Sequence, residues 1–360
     1  MVDKVSAERG ELTSRASRGK EEYKRLAARR ASFLIVCGAL IFILIGASLS
    51  MGSAQVSFVD AYSAILGRLF PGQFQVESLV DVVVWHLRLP RTLMAVLCGA
   101  ILGIAGCTTM AVLRNPLATP YTIGVSSSAG LGAAIAIILS KGLLAGNLVI
   151  VGNAFTLSLV PVAVIVIFSK RTNASPQSMI LMGVAMNYIF SACNTLLQFV
   201  AEAEAVRATV FWLVGDLARS SWWQLPYVAG ALALSLLINL RLASDLNIAK
   251  IGDDQAKALG VEVERVRRIT LLIACLATAT VVSFTGAIGF VCLLSPHICR
   301  FIVGGDERHL IPASGLFGAV LLLTSDIIAR RAAAPVMLPV GAVTAIMGGP
   351  LLIYLLTTRK

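Results

Sequence analysis

The residues able to do chemistry in this 360-residue chain are few, and most lie between its apolar runs. Arg88 and Arg91 flank Pro90 at the start of one run, where a cation opposes the positive end of a helix dipole. Snorkelling of the arginine stems to a membrane surface would relieve that conflict. An acidic partner outside the membrane would also relieve it. Arg330 and Arg331 close another run, where the dipole favours them. Asp326 lies four residues before Arg330, the spacing of an intrahelical ion pair. Such a pair explains an acid near the membrane without a proton relay. The longest polar loop, Leu242 to Arg268, reads LASDLNIAKIGDDQAKALGVEVERVRR. Asp253 can cap a helix there, with Asp254 in its first turn and Gly260 ending it. A helix of about seven residues is marginal alone. Ala256, Ala258 and Leu259 would be exposed on it. Such complete caps on so short a helix favour a docking element over a plain connector.

The chemistry that is missing bounds the function. No G-x-x-x-x-G-K-[ST] phosphate loop occurs, so the chain should not hydrolyse ATP by itself. The apolar runs lack a set of central Asp, Glu or Lys residues, which proton- or sodium-coupled carriers usually need. The seven cysteines sit in or beside apolar runs without a C-x-x-C, as small buried hydrophobes do. His86, His297 and His309 are too scattered to suggest a metal site. No cofactor and no enzymatic activity are expected.

The elements that must position these residues are membrane spans. The chain is 57% hydrophobic and only 14% charged, with a mean hydropathy of +0.85. Soluble domains carry about a quarter charged residues. Residues 93–113 are apolar or small throughout and long enough to cross a bilayer. The loop RNPLATPYTIG follows at once, and backbone so irregular cannot face lipid. It must be buried in protein or line a watery path, which suggests a transporter or channel. Ten crossings account for the apolar runs: about 33–51, 82–113, 122–140, 147–169, 178–200, 222–241, 269–286, 288–303, 310–329 and 338–357. A short segment at 203–214 follows the fifth. With the N-terminus inside, 22 Lys/Arg fall on the cytoplasmic side and 8 outside, which places both termini in the cytoplasm. Without the tail the bias is 13 to 8. The net charge of +11 therefore reflects orientation and not nucleic-acid binding. Residues 1–31, with nine Lys/Arg and five Asp/Glu, read as a loose basic cytoplasmic tail, partly helical near Glu21–Arg30. Residues 32–360 read as a single transmembrane domain. The run Phe33–Leu49 resembles a signal-peptide core, but its long leader and the spans that follow favour an uncleaved first span. Leu89-Pro90 precedes Gly99 as Leu338-Pro339 precedes Gly348, a shared helix-start pattern.

Six motifs in order resemble one family. They are RLPR at 88–91, RNPLATPYTIGVSSSAGLG at 114–132 and GDDQAKALGV at 252–261. GAIGFVCLLSPHICRFIVGGDERHLIPAS at 286–314, DIIAR at 326–330 and LPVGAVTAIMGGPLLIYLL at 338–356 follow. From about residue 80 to the end, the chain is similar to the permeases of ATP-driven iron–siderophore, haem and cobalamin importers. The resemblance implies an all-α membrane protein of the cell membrane, with about ten spans per subunit. It implies a homodimer with the substrate path on the two-fold axis, cytoplasmic ATP-binding subunits below and a substrate-binding protein above. By position it assigns Arg88 and Arg330 to binding-protein docking. It assigns Gly252, Asp253, Ala256, Leu259 and Gly260 to ATPase coupling. Asn115 and Leu117 fall near the family's cytoplasmic gate, whose partner positions are Pro176 and Gln177 here, where the family has small hydroxyl residues. Glu202 and Glu204 match no assigned role, and the basic tail is longer than the family usually shows. An iron chelate is the expected substrate, with cobalamin or haem as the alternative within the class. A stand-alone secondary transporter or a channel is the alternative of another class. A neighbouring reading frame with a phosphate-loop ATPase would discriminate between them.

Overall fold

The computed structural model describes residues 2–52, 56–70, 77–142, 148–169, 175–334 and 336–357. Lys170, Arg171, Arg359 and Lys360, four of the charges counted as cytoplasmic, lie outside the described residues. The described residues are mostly helical, with no strand among them.

Helix α1 (Val2–Ser50) is followed by α2 (Phe58–Leu69) and α3 (Ser78–Val82). A wide π-type turn at Val83–Arg88 leads into α4 (Leu89–Leu113). Then come α5 (Val125–Leu139), α6 (Val149–Ser169), α7 (Pro176–Phe199), α8 (Ala203–Leu213) and α9 (Leu225–Ala249). The chain closes with α10 (Asp253–Ala258), α11 (Val263–Thr285), α12 (Val291–Val303), α13 (Glu307–Arg331) and α14 (Val340–Thr357). Each of the ten apolar runs falls on a helix. Seven of these helices are long and apolar enough to cross a membrane, and α5, α12 and the apolar part of α14 are shorter.

Helix α1 begins at Val2, so the basic segment expected to be loose continues the helix of the first run. The segment is rich in Glu, Lys, Arg and Ala and lacks proline, a composition of good helix formers. Helix α2 has no counterpart among the expected elements. Its start is fixed by a capping box, with Ser57 Oγ accepting from Asp60 N at 3.1 Å and the Asp60 carboxylate reaching back to Ser57 N.

The bundle is organised around α4. Of its apolar core 83% is buried, and a row of small residues makes that possible. A Cβ at Gly99 would strike the Gly318 carbonyl of α13, one at Gly103 the Ser314 carbonyl, and one at Gly106 the Cys292 carbonyl of α12. Small residues let backbones approach where lipid supplies no hydrophobic drive between helices. The π turn before α4 has a local cause. Pro90 donates no N–H and cannot sit in a regular α-turn at that depth, so the preceding turn widens.

Candidate functional site

Two ends of the bundle and one face between them carry the polar chemistry. At the end where α4, α10 and α11 meet, α10 spans six residues. Its N-cap is Gly252, at φ +144°, and not Asp253. The Asp253 carboxylate makes no cap bond because it is engaged elsewhere: with Arg114 at 2.6 Å and with Arg267 at 3.0 Å. Arg267 is 1% exposed and its Nε donates to the Val112 carbonyl at 3.3 Å. Ala256 is fully buried, against the expectation of an exposed residue, because its side of α10 faces the bundle. Leu259 (64% exposed) and Ile251 (63%) are the bare apolar residues flanking the helix. Gly260, at φ +84°, ends the helix in the left-handed conformation that glycine adopts without strain. Lys257 bonds Glu264 at 2.7 Å, and this bond raises the lysine above its usual range.

The loop after α4 starts at Arg114, itself left-handed at φ +49°. Asn115 Oδ1 accepts from Leu117 N at 2.9 Å, which fixes a tight turn and leaves Leu117 exposed. The deeper part of this irregular loop is satisfied by protein, as its burial requires. Asn187 of α7 donates to the carbonyls of Tyr121 and Thr122 at 3.0 and 3.1 Å. Gly183 lets α7 pass that close, since a Cβ there would lie 2.6 Å from the Thr122 carbonyl oxygen. Pro176 is buried in the first turn of α7 behind the Ser175 cap, while Gln177 is exposed.

Nearby, the turn into α13 ties α9 down. Asn247 donates to Asp306 at 2.7 Å and accepts from Glu307 N at 2.9 Å. Partial burial pushes the Asp306 carboxyl up, but bonds from Asn247, Arg308 N and His309 outweigh it and hold it below the usual range. Glu307 is fully buried, paired with Lys250 and accepting from Cys107 Sγ at 3.1 Å.

At the opposite end, Arg88 and Arg330 do not stand free. Arg88 is 7% exposed and its Nη1 donates to the carbonyls of Leu49 (2.6 Å) and Ser50 (3.2 Å). Arg330 donates to Ser48 and Met51 carbonyls at 3.0 and 3.2 Å and to Ser48 Oγ at 2.6 Å. Both thus close the C-terminus of α1, where unpaired carbonyls carry the negative end of the dipole. That is the compensation Arg88 needs, and it is internal. Asp326 pairs with Arg330 at 3.1 Å as the spacing suggests, but it also pairs with Arg91 at 2.8 Å. Sequence reading missed the Arg91, Glu307 and Arg267 bonds. The available signal was an acid or arginine at an otherwise apolar helix end. Glu202 and Glu204 stand exposed where α8 begins.

Between the ends, α7 is the least covered of the long helices, with 11% of its apolar core buried. Asn187, Ser191, Asn194, Thr195 and Gln198 fall on one stripe of it at helical spacing. A cavity of about 610 Å³ lies elsewhere, among α6, α9 and α11. Trp223, Tyr227 and Phe284 wall it, and none of the residues expected at a site line it.

Long apolar helices around buried irregular loops define a multi-pass membrane protein. The FecCD transport family matches residues 40–358. The cobalamin import system permease protein BtuC of Halobacterium salinarum is 35% identical, over 88% of this chain and 85% of its own. The iron(3+)-hydroxamate import system permease protein FhuB of Bacillus subtilis is 34% identical, over 93% of this chain and 86% of its own. A solved chain described as a metal-chelate type ABC transporter in an inward-facing conformation superposes with a TM-score of 0.80 at 29% identity. That likeness covers 91% of this chain and 99% of the other. The chain belongs to the FecCD transport family and is a permease of the ABC importer type.

Proposed function

We propose that two copies of this chain form the path of an ATP-driven importer for an iron(III) chelate of the siderophore type. The observation that carries this reading is the face of α7. It is largely uncovered, yet Ser191 and Thr195 are exposed on it beside the partly covered Asn194 and Gln198, and polar groups facing lipid would go unsatisfied. A second copy across a two-fold axis, with a wet path between, suits such a face. Ten spans with both termini in the cytoplasm put α10 and the 114–118 loop on the inner side, in keeping with the charge bias. The basic segment 1–31 then lies in the cytoplasm ahead of a single transmembrane domain.

Gly252, Asp253, Ala256, Leu259 and Gly260 then belong to the segment that seats on a cytoplasmic ATPase. Leu259 and Ile251 supply its apolar contact. Asn115, Leu117, Pro176 and Gln177 border the inner mouth of the path. A substrate-binding protein docks at the end that holds Arg88 and Arg330. Its carboxylates would compete there with the α1 carbonyls for the two guanidiniums. The iron chelate is favoured by the hydroxamate relative and the metal-chelate neighbour. Cobalamin is the second reading, on the strength of the halobacterial relative.

The test is Leu259→Asp, which would bury an unpaired charge in the ATPase contact. The expected result is a permease inserted at normal level that no longer co-purifies with its ATPase and no longer drives uptake. Full uptake of ⁵⁵Fe-labelled ferric hydroxamate by this variant would favour a plain connector. ATP-driven uptake of cobalamin but not of the iron chelate by the parent would transfer the assignment to the second reading.

A further inference from the structure

We infer that Arg114, Asp253 and Arg267 form a strut through which movement of α10 reaches the loop at the end of α4. The inference rests on the reading of α10 as the ATPase seat and adds how that seat is connected to the path. Asp253 is the first residue of α10, and its carboxylate reaches α4 by two routes. One is direct, to Arg114 at 2.6 Å. The other runs through Arg267, which holds Asp253 at 3.0 Å and the Val112 carbonyl at 3.3 Å. Val112 and Arg114 flank Leu113, the last residue of α4, and Arg114 lies three residues before the exposed Leu117. Lys257–Glu264, the other ion pair of α10 among the described residues, ties it only to α11.

A second observation points the same way. Arg114 occupies a left-handed position, φ +49°, at the C-cap where glycine or asparagine is the usual residue. A glycine would close the turn with less strain, so the turn alone does not call for arginine. The guanidinium on Asp253 does. Nor is Arg267 an ordinary surface cation. It is buried, and its charge is directed back onto the same carboxylate. The ion pairs add little to stability where they are partly solvated. Their value is geometric, since two guanidiniums held on one carboxylate transmit a displacement that an apolar contact would let slip.

The test reads the loop and needs no identified substrate. In a Cys193→Ser background, which removes the one exposed cysteine among the described residues, Leu117→Cys reports access from the inner side. The assembled complex with its own ATPase is labelled with a bulky impermeant maleimide, with and without ATP plus vanadate. The parent reporter should change its labelling rate with nucleotide. Arg114→Asn keeps a residue that tolerates the left-handed turn and removes the cation. It should cut that nucleotide-dependent change about five-fold or more while the ATPase still co-purifies. Arg114→Lys should restore most of the response, which a role confined to shaping the turn would not require. An Arg114→Asn complex that responds like the parent would overturn the strut. A parent complex with no ATPase bound or no nucleotide response would sink the coupling reading itself, and the strut with it.

Discussion

Helices α1 and α7 both leave an apolar face uncovered, and the two faces differ in kind. On α1 the bare residues are Ile35, Val36, Leu40, Phe42 and Ile43, with nothing polar among them. On α7, Leu181, Tyr188, Ile189, Leu196 and Phe199 are bare, but Ser191 and Thr195 are exposed beside them, with Asn194 and Gln198 partly covered. The anchoring differs too. Helix α1 is tied just before its apolar run by Arg29 and Arg30, which donate to the Phe301 and Val303 carbonyls at 3.1 and 3.0 Å. At its other end Arg88 and Arg330 close it. Helix α7 has its Ser175 cap and the Asn187 bonds, both toward its N-terminal half. Exposure in a single subunit therefore has two meanings. A uniformly apolar, doubly anchored face is dressed for lipid. A striped face anchored at one end suits the second copy and wet path proposed for it.

Three substitutions can break or sharpen that contrast. Ile43→Lys should be the most damaging, since a cation at the centre of a lipid-facing span costs about 2.5–3.5 kcal/mol. Membrane-inserted yield, compared with the parent at equal expression, measures it. Arg88→Met should follow, at about 1–3 kcal/mol, because the Leu49 carbonyl loses its donor within a buried setting. A lowered thermal midpoint of the purified protein in detergent would show this. Loss of binding-protein docking with no thermal shift would instead mean that Arg88 serves only outside the membrane. Tyr188→Lys, on a residue 75% exposed on α7, should cost the least, under about 1 kcal/mol where water reaches the face. If Tyr188→Lys blocks insertion as strongly as Ile43→Lys, α7 faces lipid and the two-fold path is misplaced.

Much of this was legible in the sequence, and the boundary of legibility has a physical form. Apolar length and turn chemistry are local, so all ten runs were readable, as was the Asp326–Arg330 pair four residues apart. Helix α2 escaped because it is short and amphipathic, although Ser57 and Asp60 spelled its cap. The α10 cap was misread by one residue because Asp253 suits a cap equally well. What decided its role was Arg114, 139 positions away, and Arg267 behind it. Arg91 with Asp326 and Glu307 with Cys107 are likewise pairs across the bundle, 235 and 200 positions apart. Helix periodicity says which face a residue takes and nothing about which distant residue meets it.

The wide turn at Val83–Arg88 gives this membrane chain a slack link. A π-type turn holds one residue more than an α-turn. Removing a single residue there would take up the extra residue of the wide turn and leave everything downstream in register. The same deletion between Gly99 and Gly106 would rotate the rest of α4 by about 100°. It would swing the small residues away from Gly318, Ser314 and Cys292. Length variation in this span can thus be absorbed at its entrance and nowhere along its packed middle. Since Arg88 is the last residue of the slack turn, any change in its length re-aims that guanidinium relative to the end of α1.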